Sequence, residues 1–334
     1  MSTLRIKLTL HALATAFALG GVGTVPAAAQ ADVQDNEVAT RHIQEGAVTF
    51  AKLAPDAVFT NTIVVSPVGP TEQDNCLELQ AALDSIEDAS FNTPYLIHLE
   101  PGVYDCGDQA ITMKPFVNIQ GSGPTMTFIK GSRNGETGIV TLVSNAELSR
   151  LSVSNRFNDD GDTSVAVGTD RAFPLVDWRV SNVSAFAGSQ GTLNYAIFLD
   201  STDTCDGNME NVHAQAATVG GLAIPLQVEC PAGTIRIDKL TTAAGKSFGI
   251  RKTGAATVTL FNSLLLIDEF NSPRTVVLTL GGQINFVNTQ IYGTVDAFGL
   301  GVVQCLYSYD ELFNPFTRDC QNTSFAATGV FQTQ

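Results

Sequence analysis

A short pattern of apolar, polar, polar and apolar residues recurs along the chain from residue 148 onward. Its copies read LSRL, VSNV, MENV, IDKL, FNSL and FVNT and begin at residues 148, 180, 209, 237, 261 and 286. A repeat of about 20–50 residues is typical of solenoids, in which each turn buries its inward side chains against neighbouring turns. Asparagine within the motif suits the left-handed backbone of a tight corner. The pattern therefore predicts a coil of short parallel strands.

The main rival architecture is a β-sandwich. Its hairpins would place turn signals about every 8–12 residues, which is much closer than the spacing of the motif copies here. Helical periodicity is nearly absent after residue 90. We therefore assign the chain to the all-β class, as a solenoid.

One amphipathic helix is predicted ahead of the coil. It starts at Cys76, after the strand TIVVS that begins near Asn61, and Asn75 or Asp74 is the expected N-cap. This helix would cover the open end of the coil, where strand backbone is otherwise unpaired. Its predicted apolar face consists of Leu77, Leu79, Ala82, Leu83 and Ile86.

Residues 76–131 carry a family resemblance. The segments CLELQAALDSI, YLIHLEPGVYDCG and ITMKPFVNIQGSGPTMTFIKG resemble the start of pectinesterases within the pectin lyase-like superfamily. The resemblance is specific over this stretch and diffuse over the part of the chain that follows it. It implies a single-stranded right-handed parallel β-helix with an N-terminal cap helix, which we place at residues 61–334.

Two further regions precede this domain. Residues 1–31 have the basic start, the apolar stretch and the small residues near Ala29 that are typical of a bacterial secretory signal. Residues 32–60 repeat an apolar residue every five positions, as in short repeats of phage tail fibres. We interpret them as a linker that packs either on the domain or on a partner chain, which would give a homo-oligomer. We expect a secreted, extracellular or periplasmic protein with no membrane span after signal cleavage.

Charge and cysteines agree with this location. The formal net charge of −15 disfavours nucleic acid and anionic lipid as partners. Six cysteines in a secreted chain predict disulfides, and six cysteines allow fifteen connectivities. Within a β-helix, the separation of Cys205 from Cys230 approximates one coil, and the pairings that fit are Cys76–Cys106, Cys205–Cys230 and Cys305–Cys320.

The resemblance also implies a type of active site, in which two aspartates on neighbouring rungs act as nucleophile and acid/base beside an arginine. The family's Gln-Asp-Thr, Asp-Phe-x-Phe-Gly and Leu-Gly-Arg-Pro-Trp signatures are missing here. The residues that correspond best are Asp177, Asp200 and Arg274. Since the separation of Asp177 from Asp200 along the sequence is close to the length of a coil, we expect their carboxylates to share one face.

Other candidate residues are acidic or aromatic. Two carboxylate-rich loops have the composition of Ca²⁺ ligands, although ordinary solvated loops explain them as well; their candidates are Asp159, Asp160 and Asp162 in the first loop and Asp203 and Asp206 in the second. Trp178 and Tyr195 are candidates for stacking on sugar rings, or alternatively for filling the core. No cofactor is required by these patterns, and Ca²⁺ is the one ion they suggest.

Three functions remain open on the sequence alone. The first is an extracellular β-helix protein that contacts polysaccharide without turning it over, as a surface or matrix component. The second is a carbohydrate-active enzyme, either a pectinesterase-like esterase or a polysaccharide lyase. The third is a structural fibre module. The missing signatures and the fibre-like linker favour the first.

Overall fold

The computed structural model describes residues 61–156, 163–189, 192–218, 221–244, 248–267, 275–297, 301–310 and 312–320. The predicted signal segment and linker lie outside the described residues. The same is true of Arg274 and of the first acidic loop with Asp159, Asp160 and Asp162.

Within the described residues the strands form two parallel sheets, and they stack in register from coil to coil. The first sheet contains β1 (Asn61–Val65), β2 (Tyr95–Leu99), β3 (Gly102–Asp105), β5 (Val117–Gln120), β6 (Thr127–Gly131), β8 (Glu147–Asn155), β10 (Leu175–Ser189), β12 (Cys205–Thr218), β14 (Thr234–Ala244), β16 (Thr257–Phe261), β17 (Leu264–Ile267), β19 (Gln283–Val287), β20 (Gln290–Ile291) and β22 (Val302–Leu306). The second contains β4 (Ile111–Thr112), β7 (Val140–Leu142), β9 (Thr163–Thr169), β11 (Leu193–Asp200), β13 (Leu222–Glu229), β15 (Ile250–Thr253), β18 (Thr275–Thr279) and β21 (Thr294–Ala297).

The recurring sequence motif marks successive coils of the first sheet. Its leading apolar residues are register partners through most of the coil, as the pairs Leu148–Val180, Val180–Met209 and Met209–Ile237 illustrate. These side chains are almost completely buried because each packs on its counterparts in the coils above and below. The structure therefore confirms an all-β right-handed parallel β-helix.

A corner of the coil bends at the polar residues inside the motif. Arg150, Asn182, Asn211, Lys239, Asn262 and Asn288 all have φ between 48° and 58°, the left-handed region. The side-chain amide of Asn211 donates to Asn182 at 2.7 Å, and that of Asn288 donates to Asn262 at 2.8 Å. At the intervening coil, lysine occupies the corner and Asn262 donates instead to Asp238 at 3.0 Å.

The exposed Lys239 therefore interrupts a ladder of asparagines, and replacing it should stabilise the fold. Lys239→Asn is expected to raise the free energy of unfolding by about 1 kcal/mol, because asparagine tolerates left-handed backbone better and adds an amide between its neighbours. Urea unfolding measures the change. Lys239→Gln is the control, since glutamine has the amide without the backbone preference; an equal gain in both variants would contradict the explanation.

The cap helix is present but starts earlier than predicted. Helix α1 spans Glu72–Asp84, and Thr71 is its N-cap in a reciprocal capping box with Asp74. The prediction of Asn75 or Asp74 as N-cap was therefore wrong, since the Thr71 hydroxyl already accepts the Asp74 amide. Asn75 is instead buried, and its side-chain amide donates to the Val103 carbonyl at 2.9 Å. Leu77, predicted on the buried face, is exposed.

All three predicted disulfides are confirmed. The Cα–Cα distances are 5.2 Å for Cys76–Cys106, 5.9 Å for Cys205–Cys230 and 5.0 Å for Cys305–Cys320. The first ties α1 to the end of β3, and the second joins neighbouring coils. Across the described residues, no helix is long and apolar enough to cross a membrane.

Candidate functional site

Asp177 and Asp200, the predicted carboxylate pair, lie on different sheets. Asp177 is an exposed residue of β10, at φ 53°, where the register with β12 shifts. Asp200 ends β11 in the second sheet, and its register partner on the next coil is Glu229.

The length of a coil explains this outcome. Asn182 and Asn211 occupy equivalent corners of successive coils and are 29 residues apart. Asp177 and Asp200 are closer together along the sequence than that, so the chain between them does not complete a coil and passes from one sheet to the other. The expectation that the two aspartates share one face was therefore wrong.

The structure brings Asp200 together with a different acidic residue. In β11 and β13, Leu199 and Val228 point into the core, so that Asp200 and Glu229 alternate onto the outer face. Gln227 and Arg251 occupy the neighbouring outward row, where they are register partners. We call Asp200, Glu229, Gln227 and Arg251 the carboxylate site.

Burial perturbs Asp200 at this site. It is 3% exposed, and its burial raises the pKa of the carboxyl group because the ionised form loses hydration. The guanidinium of Arg171, whose Nε lies 3.6 Å from Oδ2, opposes this rise, whereas the charges of Glu229 and Glu136 add to it. The hydroxyl of Thr169 holds the Asp200 backbone, accepting from its amide and donating to its carbonyl, both at 2.7 Å.

Gln227 supports the second carboxylate. Its side chain is fully buried, and Nε2 donates to Oε1 of Glu229 at 2.9 Å. The other end of the amide, Oε1, has no hydrogen-bond partner within the described part of the chain. A buried acceptor without a partner costs free energy, so the bond to Glu229 is held in place at a cost in stability.

A cavity of about 330 Å³ opens beside the two acids. Its lining residues come from the ends of β11, β13 and β15 and from the turns that follow β9, β11, β13 and β15, and they are Arg171, Asp200, Ser201, Thr202, Glu229, Pro231, Thr253 and Gly254. Both carboxylates of neighbouring coils thus face one cavity. The arrangement places a buried acid, whose pKa is raised, beside a second carboxyl group at one cavity, where the buried acid can donate a proton.

The aromatic residues predicted to stack on sugars are buried. Trp178 is 1% exposed and packs inward, against the backbone of Gly207 on the next coil. The prediction of Trp178 as a sugar platform was wrong, because its strand alternation points it into the core. Tyr195 is 4% exposed and stacks on Phe198 with ring centroids 4.9 Å apart. Burial raises the pKa of the Tyr195 hydroxyl, and Arg251 beside it opposes that rise.

The second acidic loop has a structural role where the structure describes it. Asp206 accepts the Thr234 amide at 2.7 Å and the Thr204 hydroxyl at 2.9 Å, which shapes a turn between coils. The described residues contain no group of three or more His, Cys, Asp or Glu that could hold a metal ion. Asp203 and Asp206 are therefore not part of a cluster there, and Ca²⁺ binding by the first loop stays a prediction.

Lys252 lies beneath the cavity and was not singled out by sequence reasoning. Its side chain is fully buried, and Nζ donates to the carbonyls of Gly254 at 2.8 Å and Gly281 at 2.7 Å. Burial lowers the pKa of this ammonium group to about 8. The lysine thereby joins two successive turns, the first of which lines the cavity.

The lowered pKa of Lys252 predicts a pH dependence of stability. Between about pH 8 and the ordinary value of 10.5, the unfolded chain binds more protons, so the free energy of unfolding should rise with pH across this window. Thermal unfolding of the native protein and of Lys252→Met at pH 7.5 and 9.5 measures how the stability of each changes with pH. Both proteins have the same tyrosines, so the contribution of tyrosine titration cancels in the difference. Equal pH slopes in both proteins would contradict the assignment.

Comparison with known proteins shows similarity to solved structures but not to any family model or curated sequence. No protein-family model and no curated protein matches the sequence. Among solved structures, the pectin methylesterase from carrot is similar at 12% identity, with 75% of this chain and 82% of that chain covered and a TM-score of 0.54. PemA from Erwinia chrysanthemi is similar at 14% identity, with 82% and 96% coverage and a TM-score of 0.51. A pectin methylesterase in complex with a hexasaccharide has the same identity and coverage, with a TM-score of 0.52.

This chain shares their fold. The likeness confirms the right-handed parallel β-helix that the residues at 76–131 predicted. At 12–14% identity it does not extend to activity.

Proposed function

We propose that the protein acts on polysaccharide as a carbohydrate esterase, with Asp200 and Glu229 as the reacting pair. The observation that carries this proposal is the buried carboxyl of Asp200, whose pKa is raised, beside the Glu229 carboxylate on the next coil. A carboxyl group whose pKa is raised by burial keeps its proton to higher pH than a solvated one, which suits a general acid. The solved structures of the same fold, named as pectin methylesterases, support an ester as the bond that is cleaved.

The proposed reaction has two steps. The Glu229 carboxylate attacks the ester carbonyl carbon, and Asp200 gives its proton to the departing alcohol. Water then attacks the resulting anhydride, Asp200 takes a proton from that water, and Glu229 leaves as a carboxylate. Gln227 orients Glu229 through the bond from its Nε2.

The proposal includes export to an extracellular or periplasmic space of a bacterial cell after removal of residues 1–31. Three disulfides support it, because such bonds persist in oxidising compartments.

Incubation of the mature protein with pectins, other polyuronates and acylated neutral glycans, with and without Ca²⁺, tests the activity. Release of alcohol or acid from the ester, followed by mass spectrometry, is the expected result. Unsaturated products that require Ca²⁺ would instead identify a lyase. Folded protein that releases nothing from any ester would overturn the esterase proposal.

Non-catalytic binding of polysaccharide is the second candidate, favoured by the missing family signatures. It predicts that glycans bind at the carboxylate site and that Asp200→Asn leaves their affinity unchanged while no product forms. The fibre-module alternative makes a separate prediction, that deletion of residues 32–60 converts an oligomer into a monomer. A monomeric full-length mature protein would count against it.

A further inference from the structure

A second cavity, of about 340 Å³, lies next to the carboxylate site. We call it the apolar cavity. Its walls come from the turn after β4, the end of β7 and the turn that follows it, the turn between β9 and β10, and the start of β10. They are Pro115, Leu142, Val143, Phe173, Pro174 and Leu175, together with Ser144 and Asp170. Its volume lies near the lower end of the range of small-ligand sites, about 300–1,000 Å³.

Both polar side chains of this cavity already bond to the backbone. The Ser144 hydroxyl donates to the Pro174 carbonyl at 2.8 Å and accepts the Val176 amide at 3.0 Å. Oδ1 of Asp170 accepts the Ala172 amide at 3.0 Å. A sugar ring needs partners for its hydroxyl groups, and these walls are poor in them. The negative charge of Asp170 also disfavours an anionic group, so the matching ligand is neutral and apolar.

One short turn separates the apolar cavity from the carboxylate site. In the turn between β9 and β10, Arg171 lines the cavity of the two acids and pairs with Asp200, whereas Phe173 and Pro174 line the apolar cavity. A ligand that reaches across this turn would occupy both. Phe173 is 64% exposed, so its ring has a free surface against which another ring can stack.

We propose that the apolar cavity binds a neutral aromatic substituent of the glycan whose ester is cleaved at the carboxylate site. This substrate class rests on the proposed function, while the binding of an aromatic group does not. Stacking on Phe173 and contact with the two prolines favour a flat ring over a branched alkyl group. Discrimination by apolar contacts of this size is about 10- to 100-fold.

Fluorine NMR titrations with 4-fluorobenzyl alcohol and with 2-fluoroethanol test the binding without any need for turnover. Native protein should bind the aromatic probe at least about tenfold more tightly than the aliphatic probe. Phe173→Ala, which removes the stacking ring, and Val143→Phe, which fills the cavity, should each abolish that preference. Phe91→Ala is the matched control, because Phe91 is an 83% exposed phenylalanine that does not line the cavity.

The outcomes separate this inference from the proposed function. Asp200→Asn should bind the aromatic probe as the native protein does, even if no ester is ever hydrolysed. If esterase activity is present, Val143→Phe should lower kcat/KM for aryl-substituted glycan esters and leave methyl esters unaffected. Equal affinity of native protein for both probes would overturn the inference, as would an equal loss in Phe91→Ala. Since Phe173 is largely exposed, its variant stays informative even if Val143→Phe does not fold.

Discussion

Replacing Asp200 by asparagine is expected to lower kcat for ester hydrolysis by about 10²- to 10⁴-fold, because asparagine cannot donate a proton to the leaving alcohol. Glu229→Gln should cause a loss of at least that size, since it removes the attacking carboxylate while preserving side-chain volume. Rates of product release at saturating substrate, measured for each single variant and for the double variant, give the comparison. If the two residues act as one unit, their losses in kcat should be strongly non-additive in the double variant.

Asp177→Asn is the matched control for these variants. Asp177 is an exposed aspartate on the first sheet, so its replacement should leave kcat unchanged. A fully active Asp200→Asn protein would dismiss the assignment, and so would equal losses in Asp177→Asn and Asp200→Asn.

Stability and activity should change in opposite directions in Asp200→Asn. Because burial raises the folded-state pKa of Asp200, the folded protein binds more protons than the unfolded chain above the ordinary value of 3.8, and stability falls as pH rises through the folded pKa. Asparagine does not titrate, so the stability of the variant does not fall with pH for this reason. Its thermal midpoint at neutral pH should therefore equal or exceed that of the native protein, which a lost structural residue would not produce.

The rate should also depend on the Asp200 proton. Activity is expected to fall as pH rises through the raised pKa of this residue, since the acid form is then depleted. Arg171 opposes the rise, so Arg171→Gln should move this limb of the pH–rate profile to higher pH. An unchanged profile in Arg171→Gln would show that Asp200 does not control the limb.

The repeat along the sequence was enough to predict the fold, because every coil of a solenoid needs the same residue pattern. The length of a coil therefore recurs as the spacing of the motif. Each coil needs apolar residues at the inward positions, and each corner needs a residue that accepts positive φ, as Asn182, Asn211 and Asn262 do. The Cys205–Cys230 disulfide followed from the same period, since its cysteines are about one coil apart. The helix start did not, because Thr71 and Asp74 form a capping box outside the apolar pattern used to place the helix.

The site was only half predictable for a geometric reason. Asp200 was identified, but its partner was sought at Asp177, which is less than a full coil away along the sequence. The motif copies that begin at residues 180 and 209 contain the true coil length near this point, and the same step from Asp200 leads to its register partner Glu229. Burial is the other property that the sequence did not give. Alternation along a strand shows which residues share a face, but only the structure shows that the face of Trp178 is the inward one.

Trp178→Ala is expected to lower the free energy of unfolding by about 3–5 kcal/mol, the largest stability effect that we predict. The indole is 1% exposed in the core between coils, so its removal leaves a cavity that neighbouring strands cannot close without losing register. Urea unfolding monitored by circular dichroism measures the loss. Phe173→Ala is the control, because Phe173 is 64% exposed and its removal should change stability little.

A double-mutant cycle with Gly207 tests whether the indole occupies the predicted place. A β-carbon at Gly207 would collide with the Trp178 indole, so Gly207→Ala should destabilise the native protein and cost much less in the Trp178→Ala background. Additive effects would contradict this contact. The sugar-platform alternative makes the opposite prediction for the single variant, since a stacking tryptophan on the surface would lose glycan affinity and keep stability. A Trp178→Ala protein with native stability and weakened glycan binding would therefore overturn the core assignment.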